Sequence, residues 1–445
     1  MPMTAKARKK RIKVNYVARV EGEAAIRVSI AGPETEWVEL RIWEPPRFFE
    51  GFLTGRSYHE VPDIVARICG ICPVSHMITS THAIEKAMGI EASPQTVLLR
   101  RLLAMSQVIS SHIVHLYALV LPDYEGYPGL PSMLKRYPGV VERLQRMRTA
   151  VNDLTKRVGG GRGLHPIGTV VGGFTRIPSR QELRAARDAL VSIRPDAVET
   201  LKMVAEFQDL DFSSEREFVA LRSEDGYAIN TGEIVSGKGL RVSQDEYYHH
   251  FSEYQLPYAM AKQTRLKGTE PVSPVPLAAG GEASGSRSDA VMVGALARVN
   301  LKYHQLLPEA RKLADQVQFS FPDYNPFHNN LAQAIEIVHG IEDCIQMIES
   351  LDPKEEKPRV HVRAGEAGAI TEAPRGLDHH WYAINRRGII EKANIVTPTA
   401  HNFMSIESDL KGIAEQLADC PTKEIRRWCE MLVRAYDPCF SCSVH

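Results

Sequence analysis

Four of the seven cysteines in this chain fall into two CxxC pairs near its opposite ends. Cys69 and Cys72 lie in Arg67-Ile-Cys-Gly-Ile-Cys-Pro-Val-Ser-His76, and Cys439 and Cys442 lie in Asp437-Pro-Cys-Phe-Ser-Cys-Ser-Val-His445. Four thiolates in two equally spaced pairs make a soft, four-sulfur metal site. Cys72 and His76 are four apart, so on a helix they share a face. Cys69 sits in the approach to that helix, whose N-terminal dipole favours a thiolate. One CxxC alone fits a redox pair, a zinc ligand or coincidence. Two, each followed by a histidine, point to a metal. A structural zinc site draws its pairs from a short module. Pairs this far apart better suit redox-active iron or nickel, with a zinc staple as the alternative. Closing the site brings both ends of the chain together, so the site organises the fold.

The elements that must position these residues are mostly helical. Residues 12–45 alternate as strands, Ile26–Ile30 and Trp37–Trp43 about a turn at Ala31–Thr35, and predict a small antiparallel sheet. Pro73 suits a first helical turn and Gly89 a helix end, so a helix is expected over 73–88. Further helices are expected over 94–121 (ending near Pro122), 132–157, 179–209, 289–317, 327–350 and 403–435, the last broken near Pro421. Residues 159–166 and 278–287 read as Gly-rich loops, 211–250 as β-leaning, 353–358 as a charged connector and 359–396 as strand and loop. The expected fold class is mainly α with small antiparallel β-sheets (α+β), one domain over 1–445. Within it, 14–45 is a small β region and 1–13 a flexible basic tail.

Composition narrows the function classes. Basic and acidic residues balance at 54 each, which argues against nucleic acid or an anionic membrane surface as main partner. The basic run Lys6 to Lys13 reads as a solvated tail. No stretch approaches a membrane span of about 18 or more apolar residues, and the N-terminus lacks the apolar region of a signal peptide. The three remaining cysteines, Cys344, Cys420 and Cys429, are scattered and read as ordinary thiols. Seven cysteines in a long chain suit a reducing cytoplasm rather than a disulfide framework.

Taken together, the two cysteine motifs resemble the signatures of the [NiFe]-hydrogenase large (catalytic) subunit. Arg19-Val-Glu-Gly22, Glu372-Ala-Pro-Arg-Gly376 and Pro398-Thr399 match that family in the same order. The resemblance implies Cys69 and Cys439 as terminal nickel ligands. Cys72 and Cys442 would bridge nickel to an iron carrying one CO and two cyanides. It implies His76 on the sulfur of Cys72, Glu21 as the proton-passing carboxylate, and Arg375 with Pro374 above the open metal position. Asp123 and Asp437 would pair with Arg375, and Thr399 would meet a cyanide. Glu50, the Ile395 carbonyl and His445 would hold a magnesium ion. His445 matches the point at which the family's maturation protease cuts, implying the mature form.

The reaction implied is H2 ⇌ 2H⁺ + 2e⁻. The wording around Glu44–Glu50 and Arg67–His76 resembles the soluble bidirectional branch, linked to NAD(P) or, alternatively, to deazaflavin or heterodisulfide reductase. No GxGxxG follows a strand, and no cysteines remain for an Fe–S cluster. An Fe–S small subunit is therefore the expected obligate partner, with further subunits carrying flavin and Fe–S. The rival from another class is a non-catalytic quinone-site or scaffold subunit of a complex I-like assembly, a relative that lacks the four cysteines.

Overall fold

The structure, a computed structural model, describes residues 9–45, 47–163, 165–267, 275–276, 282–283, 290–317 and 321–444. Three strands open the chain: β1 (Lys9–Val14), β2 (Ala24–Ala31) and β3 (Glu34–Ile42) form an antiparallel sheet in the order β1-β2-β3. Lys9 to Lys13 are thus not part of a tail. In β1 charged residues alternate with inward Ile12 and Val14, and the Lys10 ammonium donates to the Cys420 carbonyl at 2.9 Å. Period-two burial outweighs the local charge.

A short helix α1 (Phe49–Leu53) leads to α2 (Pro73–Met88). Pro73 takes the first position of α2, and Gly89 closes it in the left-handed conformation at φ 66°. Its side chains from Pro73 to Thr81 are all buried, so this helix is central rather than amphipathic. Next come α3 (Pro94–Val114), α4 (Pro138–Val158), α5 (Arg180–Ser192) and α6 (Arg194–Ala205). Prolines divide the longer helices expected here: Pro138 begins α4, and Pro195 opens α6 just past Ile193. Pro122 behaves differently. After α3 the helix widens into a π stretch over His115–Val120 and continues through Leu121–Tyr124. The wider turn makes room for the proline ring.

Pro94–Tyr124 is long and apolar enough to cross a membrane, contrary to the reading of the sequence, but 78% of its apolar window is buried inside the fold. It serves as a core helix.

Strands β4 (Glu217–Arg222) and β5 (Glu233–Ser236), helix α7 (Ala295–Lys302) and helix α8 (Asn329–Ser350) follow. Most of the expected 278–287 loop lies outside the described residues. A second antiparallel sheet, β6 (Gly365–Ala373), β7 (Gly376–Ile384) and β8 (Ile390–Val396), packs against α2. The chain ends in α9 (Pro398–Gln416), α10 (Thr422–Ala435) and a single turn α11 (Phe440–Ser443). One hydrophobic core runs from Ile12 to Val444. The ends meet directly: Glu21 bridges to Cys439, and the Phe440 N–H donates to the Glu21 carbonyl at 2.8 Å.

Candidate metal centre

Cys69 and Cys72 flank the start of α2, with Cys72 as its N-cap, while Cys439 and Cys442 flank the start of α11. The four sulfurs lie within 4.8 Å of one another, all buried and none in a disulfide. Cys69 Sγ is 3.5 Å from Cys439 Sγ, and Cys72 Sγ is 3.6 Å from Cys442 Sγ. Burial opposes any thiolate here. For Cys69 that penalty is overcome by hydrogen bonds from the neighbouring thiols and by the Arg375 charge, so its pKa falls well below the ordinary thiol value. The backbone N–H groups of Ile71 and Cys72 also point at its sulfur, at 3.3 and 3.1 Å. Cys72 is lowered too, by hydrogen bonds from Cys439 and Cys442, which are themselves pushed up by burial. The first pair is thus shifted toward the thiolate and the second toward the thiol, and a bound metal would displace the protons that remain.

Arg375 forms one wall. It sits in the two-residue tip of the β6–β7 hairpin, whose last pair is Ala373 with Gly376. Pro374 presets the turn. Gly294 at φ 106° lets its own chain approach so closely that a Cβ there would lie 2.9 Å from the Arg375 carbonyl. Arg375 Nε donates to the Asp437 carbonyl at 2.6 Å, and Nη2 donates to its carboxylate at 2.8 Å. Among the described residues Nη1 is buried with no hydrogen-bond partner. Burial opposes the guanidinium charge, but Asp437 and the sulfurs of Cys439, Cys72 and Cys69 outweigh it. Asp437 is a non-glycine residue at φ 50°, a strained turn that aims its carboxylate back at Arg375.

The supports of this wall went unread in the sequence. Gln333 Nε2 donates to Asp437 at 3.1 Å and Gln333 Oε1 pairs with His115 at 2.6 Å. One turn along α8, Glu336 takes two 2.7 Å bonds from Arg298, whose guanidinium also grips the Ala373 and Pro374 carbonyls. Gln333 and Glu336, polar residues one turn apart in the otherwise apolar run Leu331–Val338 of α8, were the available signal.

Asp123 does not pair with Arg375. It takes two bonds from Arg434, at 2.5 and 2.9 Å, and one from Arg19. Continuation of the helix beyond His115 carries Asp123 away, and His115 instead lies 3.8 Å from Asp437.

On the opposite wall Glu21 Oε2 lies 2.9 Å from Cys439 Sγ, and the Ser441 hydroxyl donates to the same carboxylate. Ser441, inside the second CxxC, was not read as functional. Thr399 accepts the Cys439 N–H at 2.9 Å, leaving its own proton to donate. His76 bonds Cys72 and lies 3.2 Å from Asp378 and 3.1 Å from His380. Burial opposes its charge, yet Asp378 and Cys72 hold its pKa well above the usual imidazole range. Glu50 Oε1 accepts the Ile395 N–H at 2.9 Å and an Asn394 amide bond at 3.0 Å, and Lys262 is 3.9 Å away. His445 lies outside the described residues, and the preceding Val444 accepts from Arg47 N at 2.9 Å.

Cys344 and Cys429 are buried in the core and Cys420 is half-buried, each outside the four-thiol group.

A buried four-thiol cradle closed by both ends of the chain defines a metal-dependent redox subunit, and residues 47–127 and 286–445 match the family described as nickel-dependent hydrogenase. The chain belongs to that family: it is a large subunit of the [NiFe] type, an oxidoreductase acting on H2. It is 32% identical over 443 residues to sulfhydrogenase 1 subunit alpha of Pyrococcus furiosus, covering 98% of this chain and 97% of that one. It is 25% identical to the NAD-reducing hydrogenase HoxS subunit beta of Cupriavidus necator, covering 98% and 95%. Its fold is that of a solved NAD+-reducing [NiFe]-hydrogenase in the H2-reduced state, with TM-score 0.84, 23% identity and coverage of 99% and 100%. Family membership sets aside the scaffold and zinc-staple alternatives.

Proposed function

We propose that the four thiols hold a nickel–iron pair, with Cys69 and Cys439 terminal on nickel and Cys72 and Cys442 bridging to iron. The observation that carries this is the combination of four clustered free thiols with an unpartnered, buried Arg375 Nη1 beside them. A buried donor without an acceptor is costly, and a cyanide nitrogen on the iron satisfies it. The Thr399 hydroxyl suits a second cyanide, and Pro374 shapes the wall. When bound, the metal pair supplies the redox centre at which H2 is split. Glu21 takes up and returns the proton at Cys439 Sγ. Arg375, fixed by Asp437, supplies positive charge without reorganisation. His76 orients the Cys72 sulfur through the proton it shares with Asp378. Asp123, held by Arg19 and Arg434, braces the end of α10 against the N-terminal segment rather than the guanidinium. Glu50, the Ile395 carbonyl and His445 hold magnesium, for which hard oxygen ligands and one imidazole suffice.

Electrons leave through an Fe–S partner subunit and pass to a soluble carrier, NAD(P) in our reading, in the cytoplasm. In support, the other three cysteines form no cluster among the described residues. Gly70, between two ligand cysteines, is exposed beside a cavity of about 290 Å³ lined by Ile71, Gln107, Ser111 and Arg148. We assign the partner to this face, with total buried area above ~2,000 Å².

The test is metal content and infrared spectroscopy of the purified complex. About one nickel and one such iron per chain are expected, with separate CO and CN bands. Cys72→Ser or Cys442→Ser should lose the metals, because each would remove a bridge, whereas Cys429→Ser should retain them. Full hydrogen uptake by nickel-free protein would sink the assignment.

A further inference from the structure

Glu21 is half-buried, so a proton arriving there must still reach solvent. Next to it in space, though 23 residues on in sequence, stands Glu44 at the end of β3. The link is Gly22. At φ 83° it has no side chain, and a Cβ there would lie 2.5 Å from Ser441 N and 2.6 Å from Glu44 Oε2. Ser441 N is itself 3.3 Å from Glu21 Oε2. The glycine therefore leaves the room that Ser441 N and the Glu44 carboxyl occupy beside Glu21, and any other residue would displace them.

Glu44 has few commitments. Among the described residues its hydrogen-bond partner is the Glu23 N–H, at 3.3 Å on Oε2. It is half-buried between exposed Trp43 and Pro45. The charged groups around it are Glu21, Arg47 and Glu23. Arg47 Nη2 donates to the Ile68 carbonyl at 2.6 Å and to the Ser441 carbonyl, and among the described residues Arg47 forms no ion pair with Glu44. Burial, and after it the charge of Glu21, raises the Glu44 pKa above the ordinary carboxyl value. A relay carboxyl works best when its pKa lies nearer the working pH.

We propose that Glu44 is the carboxylate that carries the proton between Glu21 and solvent. In H2 oxidation, protonated Glu21 gives its proton through intervening water to the Glu44 carboxylate, and Glu44 gives it to bulk water. Glu21 returns to its carboxylate form, and no electrons move in the step. In H2 production the order reverses. Ser441, by donating to Glu21, fixes which side of that carboxyl faces Cys439 and which faces Gly22.

This rests on Glu21 being the first proton acceptor, so both positions are tested together in the intact complex. Glu44→Gln should cut turnover at least tenfold, raise the solvent isotope effect, and leave the infrared CO and CN bands unshifted. Glu44→Asp should recover most of the rate, and added small carboxylic acids should rescue Glu44→Gln. Loss of the infrared bands in both Glu44 variants, or a slowed Glu44→Gln that small acids and aspartate fail to rescue, would make Glu44 structural and overturn the proposal. Normal turnover in Glu44→Gln beside a stalled Glu21→Gln would overturn it alone. Normal turnover in Glu21→Gln would instead overturn the reading beneath it.

Discussion

The two walls of the thiol site are built on opposite principles. On the Arg375 side every charge is buried and doubly held: Arg375 by Asp437, Arg298 by Glu336 and Glu372, and Asp437 by Gln333. On the Glu21 side the carboxylates are half-buried, and the hydrogen bonds of Glu21 among the described residues go to the thiol of Cys439, the backbone N–H of Phe440 and Ser441. A fixed positive charge acts on a reaction only if it need not reorganise, so it is placed out of water and clamped. A proton carrier must gain and lose its charge each cycle, so it must stay near solvent and loosely bound. The difference separates residues whose loss unfolds the site from residues whose loss stops turnover in a folded site.

The hardest break is Arg298→Met. Glu336 and Glu372 would then sit in the core without their cation, and removing one partner of a buried pair costs about 3–5 kcal/mol. Lys302 Nζ, 4.0 Å from Glu372, would leave that carboxylate a longer ion pair, but both guanidinium bonds to Glu336 would be lost. The expected outcome is poor recovery of metal-loaded complex and a large fall in unfolding temperature. Unchanged stability would mean that the clamped wall is not clamped.

Arg375→Lys should be milder in stability and still severe in rate. A lysine supplies one point charge in place of a fork that bonds Asp437 twice and leaves Nη1 free. Turnover should fall on the order of 10²-fold, the scale of losing one pre-aimed donor, with nickel content retained. Glu21→Gln should show the other pattern: stability near wild type, metals in place, and H/D exchange down by about 10²–10⁴-fold. If the two variants behaved alike in both stability and rate, the two-wall distinction would fail.

Local rules made the thiols legible and the family resemblance the proton wall, while the clamped wall was only half so. The four cysteines follow from motif spacing and the α2 boundaries at Pro73 and Gly89 from helix punctuation, which are short-range, while Glu21 was legible through the family resemblance. Gln333 and Glu336 stand one turn apart on α8, but their partners His115, Asp437 and Arg298 are scattered across the chain, and residue type does not announce which they are. Asp123 shows the same limit. Its partner was misassigned because the π stretch at His115–Val120 changes where the rest of the helix points, and nothing in residue type announces that turn. Lys9–Lys13 failed for a different reason: the charge count hid an alternation that continued into Ile12 and Val14. Pro122 stayed inside its helix because the widened turn before it removed the clash that ends helices elsewhere.

The smallest effect should come from a half-buried carboxyl that belongs to neither wall. Glu407 on α9 accepts the Leu40 N–H at 2.8 Å and the Tyr258 hydroxyl at 2.8 Å. Burial, with Glu39 nearby, drives its pKa up to about 8 despite those two donors. An unfolded glutamate titrates near ~4.3, so between that pH and about 8 the folded chain holds a proton that the unfolded chain has lost. Stability must then fall as pH rises through this window. Glu407→Gln keeps an acceptor for Leu40 and removes the titration. Its unfolding temperature should decline less from pH 5 to pH 8, by ~1–3 °C for a chain of this size. Turnover should stay within twofold of wild type, because no contact joins Glu407 to the thiols or to Glu21. A large loss of turnover, with stability flat across the same pH range, would put Glu407 on the proton side of the site and extend the solvated wall along β3.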